Sequence, residues 1–379
     1  MLNQLLSLPL EQKIGQLLYI GLPGPDFDAE TRALVEEIQP GGVIIFGRNV
    51  TAPQQLRQLL DGVRESVRIE PLLGIDQEGG LVDRLRKICT PMPAARSIRQ
   101  HGDLAGVRSL GRITGEALRL LGFNMNFAPV MSIMTDDRDL LSNGLYSRSY
   151  GRSPGEVLGY TMVYLRGLQG TGCLGCAKHF PGIGAGEVDS HDEMPIIKLT
   201  HDDLLAQDLA PYIELFQRED NMVRALMVSH GGFPNIDINR GTAGGPLIPA
   251  SINRDIVTRL LREELGYKGL VVTDDMEMGA IARHYQIEDA SRLAVEAGED
   301  MLLICARPEL IHRSRRALVQ AVHDKVISED RIDESLARIA AYKQTTQPPL
   351  PFDAARFAEL SKEVEALNRK LEYTYGGKF

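Results

Sequence analysis

Short apolar runs recur along the chain, and each is followed by a stretch whose apolar residues repeat at helical spacing. Eight such alternations are legible, beginning at LLYIG (17–21), GVIIF (42–46), PLLGID (71–76), FNMNFAP (123–129), CLGCAKHF (173–180), ALMVSH (225–230), GLVVTD (269–274) and DMLLIC (300–305). Runs this short and this uniformly apolar suit strands covered on both faces by helices, so the pattern predicts parallel βα units. The helices carry start and stop signals. Pro53 opens PQQLRQLLDGVRESV, Ser251 or Asn253 stands ahead of DIVTRLLREELG, and Gly266 closes it. Eight units close naturally into an α/β fold of the (β/α)8, TIM-like barrel type, and no GxGxxG follows the first run to favour an open dinucleotide-binding sheet. Beyond Cys305 the pattern is helical only. The expected division is a catalytic barrel over residues 1–345 and a C-terminal helical extension over 346–379 that is not a separate domain.

Composition narrows the class of function. Lys and Arg number 42 against 51 Asp and Glu, a net charge of −9, which argues against nucleic acid or an anionic membrane as partner. No apolar run reaches the length of a membrane span, so no membrane insertion is expected. The absence of Trp argues against a long polysaccharide groove floored by indoles and leaves a compact pocket. Cys89, Cys173, Cys176 and Cys305 are too few and too scattered for a disulfide scaffold, and the chain opens without a basic, then apolar, leader; a reduced, cytoplasmic setting is expected. The CLGC pair has no second ligand pair nearby, and buried strand cysteines are the simpler reading than zinc.

A barrel of this kind builds its active site at the carboxyl ends of its strands. The residues just past the runs are polar and charged: Arg48 and Asn49 after the second, Asp76 and Glu78 after the third, Lys178 and His179 at the fifth, His230 at the sixth, Asp274 and Asp275 at the seventh. The densest segment is KHFPGIGAGEVDSHDEMP, residues 178–195. There Gly182, Gly184 and Gly186 predict a mobile loop that leaves His191 away from the strand ends in an empty site. Asp189 and His191 stand two residues apart, close enough on a turn for the carboxylate to hold one ring nitrogen and orient a proton shuttle.

These residues resemble the single-domain β-N-acetylhexosaminidases of glycoside hydrolase family 3, whose loop motif reads KHFPGHGxxxxDSHxxxP. The chain matches at Lys178, His179, Phe180, Pro181, Gly182, Gly184, Asp189, Ser190, His191 and Pro195, and further at GRN (47–49), GIDQEGG (74–80), NFAPV (126–130), RSYG (148–151) and LGYKGLVVTDDMEMGAI (265–281). The resemblance implies a retaining glycosidase that removes terminal β-linked N-acetylglucosamine. In that reading Asp274 is the nucleophile and His191, paired with Asp189, the acid and base; strand parity alone does not choose Asp274 over Asp275. It also implies that Asp76, Arg148, Lys178, His179 and Arg48 hold sugar hydroxyls with His230 nearby, that no cofactor or metal is used, and that the substrate is a small sugar or muropeptide-derived fragment of cell-wall turnover. The chain departs from the family at Ile183, where the motif has a second His, at Ser132, where it has Asp, and over residues 131–147.

Alternatives remain at this level. A β-glucosidase, or a phosphorylase passing the same intermediate to phosphate, shares the scaffold. A metal-dependent hydrolase would draw on Asp189, His191, Asp192, His179 and Asp274, although these lack the spacing of a ligand pair. A barrel kept only for binding is disfavoured by the presence of both Asp274 and the Asp189–His191 pair.

Overall fold

The computed structural model describes residues 1–141, 143–220, 222–236 and 247–376. Residues 377–379, the end of the expected extension, lie outside the described residues. Every predicted run contributes a strand: β1 (Leu18–Gly21), β2 (Gly42–Ile45), β3 (Leu72–Ile75), β4 (Met125–Asn126), β5 (Leu174–Gly175 and Ala177–Phe180, interrupted at Cys176), β6 (Ala225–Val228), β7 (Leu270–Asp275) and β8 (Met301–Ile304). Neighbours pair in parallel in sequence order, and β8 returns to β1 through Leu302 and Leu18. The first half of β5 pairs with β4 and the second with β6, so one interrupted strand carries both ends of the sheet and closes the (β/α)8 barrel.

Closure is possible because small and large residues alternate inside. The ring of Tyr19 fills the space above Gly42 and Gly74, where a Cβ would lie 2.5 Å from the ring and 2.3 Å from the phenol oxygen respectively. Phe127 meets the same ring edge-on at 5.2 Å. Such interdigitation makes the barrel a packed core rather than a pore. Outside it, helix Pro53–Glu65 buries Leu56, Leu59, Leu60 and Val63, one stripe at spacings of three and four. Helix Leu104–Leu121 approaches helix Pro154–Gln169 closely because Gly111 and Gly167 present no side chain: a Cβ on either would stand within 2.4 Å of the opposing backbone. Helix Ala354–Lys370 of the extension buries Phe357, Leu360 and Val364, and Arg356 holds Glu116 on helix Leu104–Leu121 at 2.6 Å. All four cysteines are free and buried. No helix among the described residues is long and apolar enough to cross a membrane.

Candidate active site

The carboxyl ends of the strands surround one cavity lined by, among others, Asp76, Glu78, Arg148, Lys178, His179 and Asp274. Its floor is a network of buried charge. Lys178, on β5, places its Nζ 2.6 Å from Asp76 Oδ1 and 2.6 Å from Glu78 Oε1. Arg148, on the loop after β4, donates twice to Glu78, at 2.8 and 2.9 Å. Two anions and two cations share a desolvated space, so each is stabilised only by the others. Burial opposes the charge on Glu78, but Arg148 and Lys178 outweigh it and hold the carboxyl far below its ordinary value. Burial likewise works against the Lys178 ammonium, and Asp76 and Glu78 reverse the balance and raise its pKa.

Asp274, at the end of β7, closes the opposite side of this floor. Its Oδ1 accepts the Asp275 amide at 2.9 Å, and Oδ2 lies 3.7 Å from His179 Nε2. Burial raises its pKa, but the imidazoles of His179 and His230, the Asp275 amide and Lys178 together bring it below the ordinary carboxylate value. His179 is itself neutral, burial having pushed it down to about 3. Asp275 differs from its neighbour in kind. Burial lifts it to about 7, so the adjacent carboxyls are an anion and a group half-protonated at neutrality. Strand parity could not separate the two; environment does.

The roof is the loop after β5. Asp189 Oδ1 accepts both the amide of His191, at 2.9 Å, and its Nδ1–H, at 2.7 Å. Nε2 is thereby left free toward the cavity that both residues line. The hydrogen bond His191 donates to Asp189 raises the His191 pKa, with a further contribution from the charges of Asp189 and Asp274. Against the expectation of a loop free to swing, its backbone is tied down just beyond β7. Gly279, just beyond β7, donates to the His191 carbonyl at 3.0 Å, and Asn143 donates to the carbonyls of Gly184 and Gly186, each at 3.0 Å. The glycines serve close approach rather than hinging: a Cβ on Gly184 would stand 2.4 Å from the Ile133 carbonyl, and one on Gly186 2.8 Å from the Pro195 ring. Ile183, replacing the motif's His, is buried and lines the cavity. Ser132 is buried with no partner for its hydroxyl among the described residues.

Two of the expected sugar ligands do not reach the cavity wall. Arg48 stacks over Phe46, 4.8 Å from the ring centre, and donates to the carbonyls of Leu22 and Cys305, so its guanidinium binds backbone. His230 is fully buried and accepts from Ser251 Oγ at Nδ1, 2.7 Å, while Nε2–H donates to the Asp275 carbonyl at 2.9 Å. It supports the backbone beside Asp274 from behind. Sequence reasoning missed Arg84, which lines the cavity 4.0 Å from Asp76. A tight hairpin brings it back: Gly79 and Gly80 take φ of 90° and 59°, and Gln77 Oε1 accepts the amides of Arg84 and Leu85. The signal was the GG pair, which marks a chain reversal directly beside a strand-end carboxylate.

A closed parallel barrel with a buried charge floor, a strand-end carboxylate and an Asp–His pair facing it across one compact cavity defines a barrel glycosidase. Residues 9–342 match the family model described as the glycosyl hydrolase family 3 N-terminal domain, and the chain belongs to glycoside hydrolase family 3. It is 33% identical over 293 residues to a β-hexosaminidase of Vibrio cholerae serotype O1 (strain M66-2), covering 77% of this chain and 83% of that one. A β-hexosaminidase of Alkalilimnicola ehrlichii is 33% identical over 300 residues, with 78% and 82% covered. Among solved structures, a family 3 β-N-acetylglucosaminidase from Paenibacillus sp. str. FPU-7 superposes with a TM-score of 0.84 at 34% identity, over 95% of this chain and 69% of that one. A family 3 glycosyl hydrolase from Mycobacterium smegmatis gives 0.79 at 30% identity, over 91% and 99%.

Proposed function

We propose that the chain is a retaining β-N-acetylglucosaminidase that removes terminal non-reducing β-linked N-acetylglucosamine. The observation that carries this reading is the pairing of unlike groups across one cavity: a carboxylate held as an anion, Asp274, faces an oriented imidazole held toward its protonated form, His191. Glycoside cleavage needs both, an anion beneath the anomeric carbon as positive charge develops there and a proton at the leaving oxygen. In the first step Asp274 attacks the anomeric carbon while His191 Nε2–H protonates the departing oxygen. In the second, neutral His191 takes a proton from water as the water displaces Asp274. Asp189 orients the ring and stabilises the imidazolium that alternates between the steps.

Asp76, Lys178, Arg148 and His179 hold the sugar hydroxyls, with Arg84 added to that set. Asp76 has a free carboxylate edge for a diol because Lys178 binds its Oδ1. The barrel over 1–345 and the extension over 346–379 act as one catalytic unit, with Arg356 and Glu116 joining them. The compact cavity suits small fragments of cell-wall turnover met in the cytoplasm. Similarity to a β-hexosaminidase and a β-N-acetylglucosaminidase supports the N-acetylated sugar. The test compares 4-nitrophenyl N-acetyl-β-glucosaminide with 4-nitrophenyl β-glucoside. The expected result is at least about a tenfold higher kcat/KM for the N-acetylated glycoside, because a site built to bond the acetamido group leaves polar atoms unpaired without it. Equal or reversed values overturn the reading.

A further inference from the structure

Beside the catalytic cavity lies a second, shallower one lined by Gly47, Arg48, Asp83, Arg84, Arg86 and Lys87, and Arg84 belongs to both. The shelf concentrates four cations in a chain of net charge −9. Their partners are almost all neutral. Arg48 donates to backbone carbonyls, Lys87 to the Gly47 carbonyl at 2.9 Å, and Arg86 to the Tyr375 hydroxyl at 2.8 Å. Arg84 has a buried Nε with no partner among the described residues, and its one carboxylate neighbour, Asp76, is 4.0 Å away and already bound by Lys178. The acidic member of the lining, Asp83, is turned inward: its carboxylate accepts from Gln77, Leu85 and Met92, and burial shifts it toward the neutral acid. The shelf therefore carries more positive than negative charge, four cations against Asp83 in its lining and Asp76 at 4.0 Å from Arg84.

Its place in the barrel says which end of the substrate it meets. The shelf is built by the loops after β2 and β3, whereas Asp274 ends β7, on the far side of the barrel, and the His191 loop docks beyond β7 at Gly279. A sugar with its anomeric carbon at Asp274 and its leaving group beneath His191 extends across the cavity toward Asp76 and then Arg84. The shelf thus receives the end of the sugar remote from the scissile bond, where C6 and its oxygen project.

We propose that the shelf binds an anionic substituent on that remote end, a phosphate ester on the 6-oxygen, so that 6-phosphorylated N-acetylglucosaminides are substrates of the same site. This rests on the N-acetylglucosaminidase reading. A phosphate offers Arg and Lys three charged acceptor oxygens without disturbing the diol contacts at Asp76 that involve the 4-oxygen.

The experiment measures KM and kcat for 4-nitrophenyl N-acetyl-β-glucosaminide and for its 6-phosphate ester, on the wild type and on an Arg86→Ala/Lys87→Ala double variant. Both side chains are exposed and stand outside the catalytic cavity, so the ratio between the two substrates is the readout. The wild type should show a KM at least about tenfold lower for the phosphate ester, an advantage that shrinks severalfold between about 0.05 and about 0.5 M salt as screening sets in. The double variant should bring the ratio close to one. Equal or weaker use of the phosphate ester, or an advantage that survives the double substitution, overturns the proposal. A gain seen instead for a carboxylate-bearing aglycone, lost in the double variant, overturns the orientation. If neither glycoside is turned over, the glycosidase reading fails by itself, and calorimetric titration with N-acetylglucosamine 6-phosphate against N-acetylglucosamine still tests the shelf.

Discussion

The two halves of the active site are built on opposite principles. The floor places Lys178 and Glu78 with side chains 3% and 5% exposed, tied to Asp76 and Arg148 by contacts of 2.6 to 2.9 Å. The roof places Asp189 and His191 with side chains 37% and 69% exposed, on a loop whose carbonyls are held by the Gly279 amide and the Asn143 side chain. In the floor, charge is tightly held: burial opposes the ionised forms of Glu78 and Lys178, and their partners keep both ionised by lowering the one pKa and raising the other. In the roof, charge stays adjustable, because a half-solvated imidazole beside a carboxylate can gain and lose a proton within one turnover. The proposed double displacement needs both, a nucleophile that stays an anion and a shuttle that gives up a proton in the first step and regains one in the second. The difference teaches that burial, not residue type alone, decides which groups of this cavity hold their charge and which can exchange a proton.

Removing Asp274, the proposed nucleophile, should have the largest effect. Asp274→Ala is expected to lower kcat/KM by about 10⁴-fold or more for every leaving group, since neither step can proceed without it and its partners act as a unit. Stopped assays with 4-nitrophenyl and 2,4-dinitrophenyl glycosides check this, and mass spectrometry after a fluoroglycosyl inhibitor should place the label on Asp274 rather than Asp275. The roof should behave differently. His191→Ala is expected to cost on the order of 10² to 10⁴-fold with a poor leaving group such as an alkyl alcohol, and far less with dinitrophenolate, which departs without a proton. A loss of equal size across leaving groups would put His191 with the floor and erase the distinction.

How much of this contrast could be read in the sequence depends on whether the relevant neighbours are near in the chain. The barrel was legible because each strand declares itself locally; the exception in extent is β4, expected over 123–129 and found only at Met125–Asn126. There the side chains of Asn124 and Asn126 take the amides of Leu73 and Gln77, and Pro129 has no N–H to continue the ladder. The Asp189–His191 pair was legible for the same local reason. The floor was only partly so: Glu78 stands 70 residues from Arg148 and could not be told from an ordinary strand-end charge, and Arg84 lay hidden in DRLRK, which reads as a solvated surface. Arg48 and His230 carried family positions but not their orientation, which packing against Phe46 and Ser251 decides. The loop's glycines were read as a hinge because flexibility is the first consequence of a missing Cβ; that they admit Ile133 and Pro195 required the fold.

The docking of the loop on Gly279 yields a smaller, sharper test of the roof. Gly279 donates to the His191 carbonyl, and a Cβ there would lie 2.3 Å from the Asp192 carbonyl and 2.8 Å from that of His191. Gly279→Ala should therefore lift the loop without touching Asp274 or the floor. An approximately tenfold fall in kcat with poor leaving groups is expected, the scale on which small misplacement of a catalytic group acts, with inhibitor labelling of Asp274 retained. Full activity in this variant would mean that the docked position of the loop does not matter to the proton transfer.

The smallest expected effect concerns only the proton itself. Asp189→Asn keeps an acceptor oxygen for the His191 amide and ring, so the loop geometry holds, but removes the charge that favours the imidazolium. Because the hydrogen bond and charge of Asp189 raise the His191 pKa, the protonated ring persists above the ordinary histidine value of about 6.5. As the proposed general acid, His191 is therefore protonated at low pH and loses its proton as pH rises through that raised value, which should set the alkaline limb of kcat/KM. With Asn at 189 the limb should move to lower pH by about one unit, a shift of the size a single neighbouring charge produces. The second step needs the neutral ring, so where that step limits kcat its acid limb moves to lower pH as well, while kcat/KM, which reports the first step, contracts on its alkaline side only. Only a leaving group that needs a proton depends on the protonated ring, so the displacement should appear with a poor leaving group and be nearly absent from the first step of dinitrophenyl glycosides. An unmoved alkaline limb would assign it to another group, of which Asp275, lifted to about 7 beside the nucleophile, is the one the site offers.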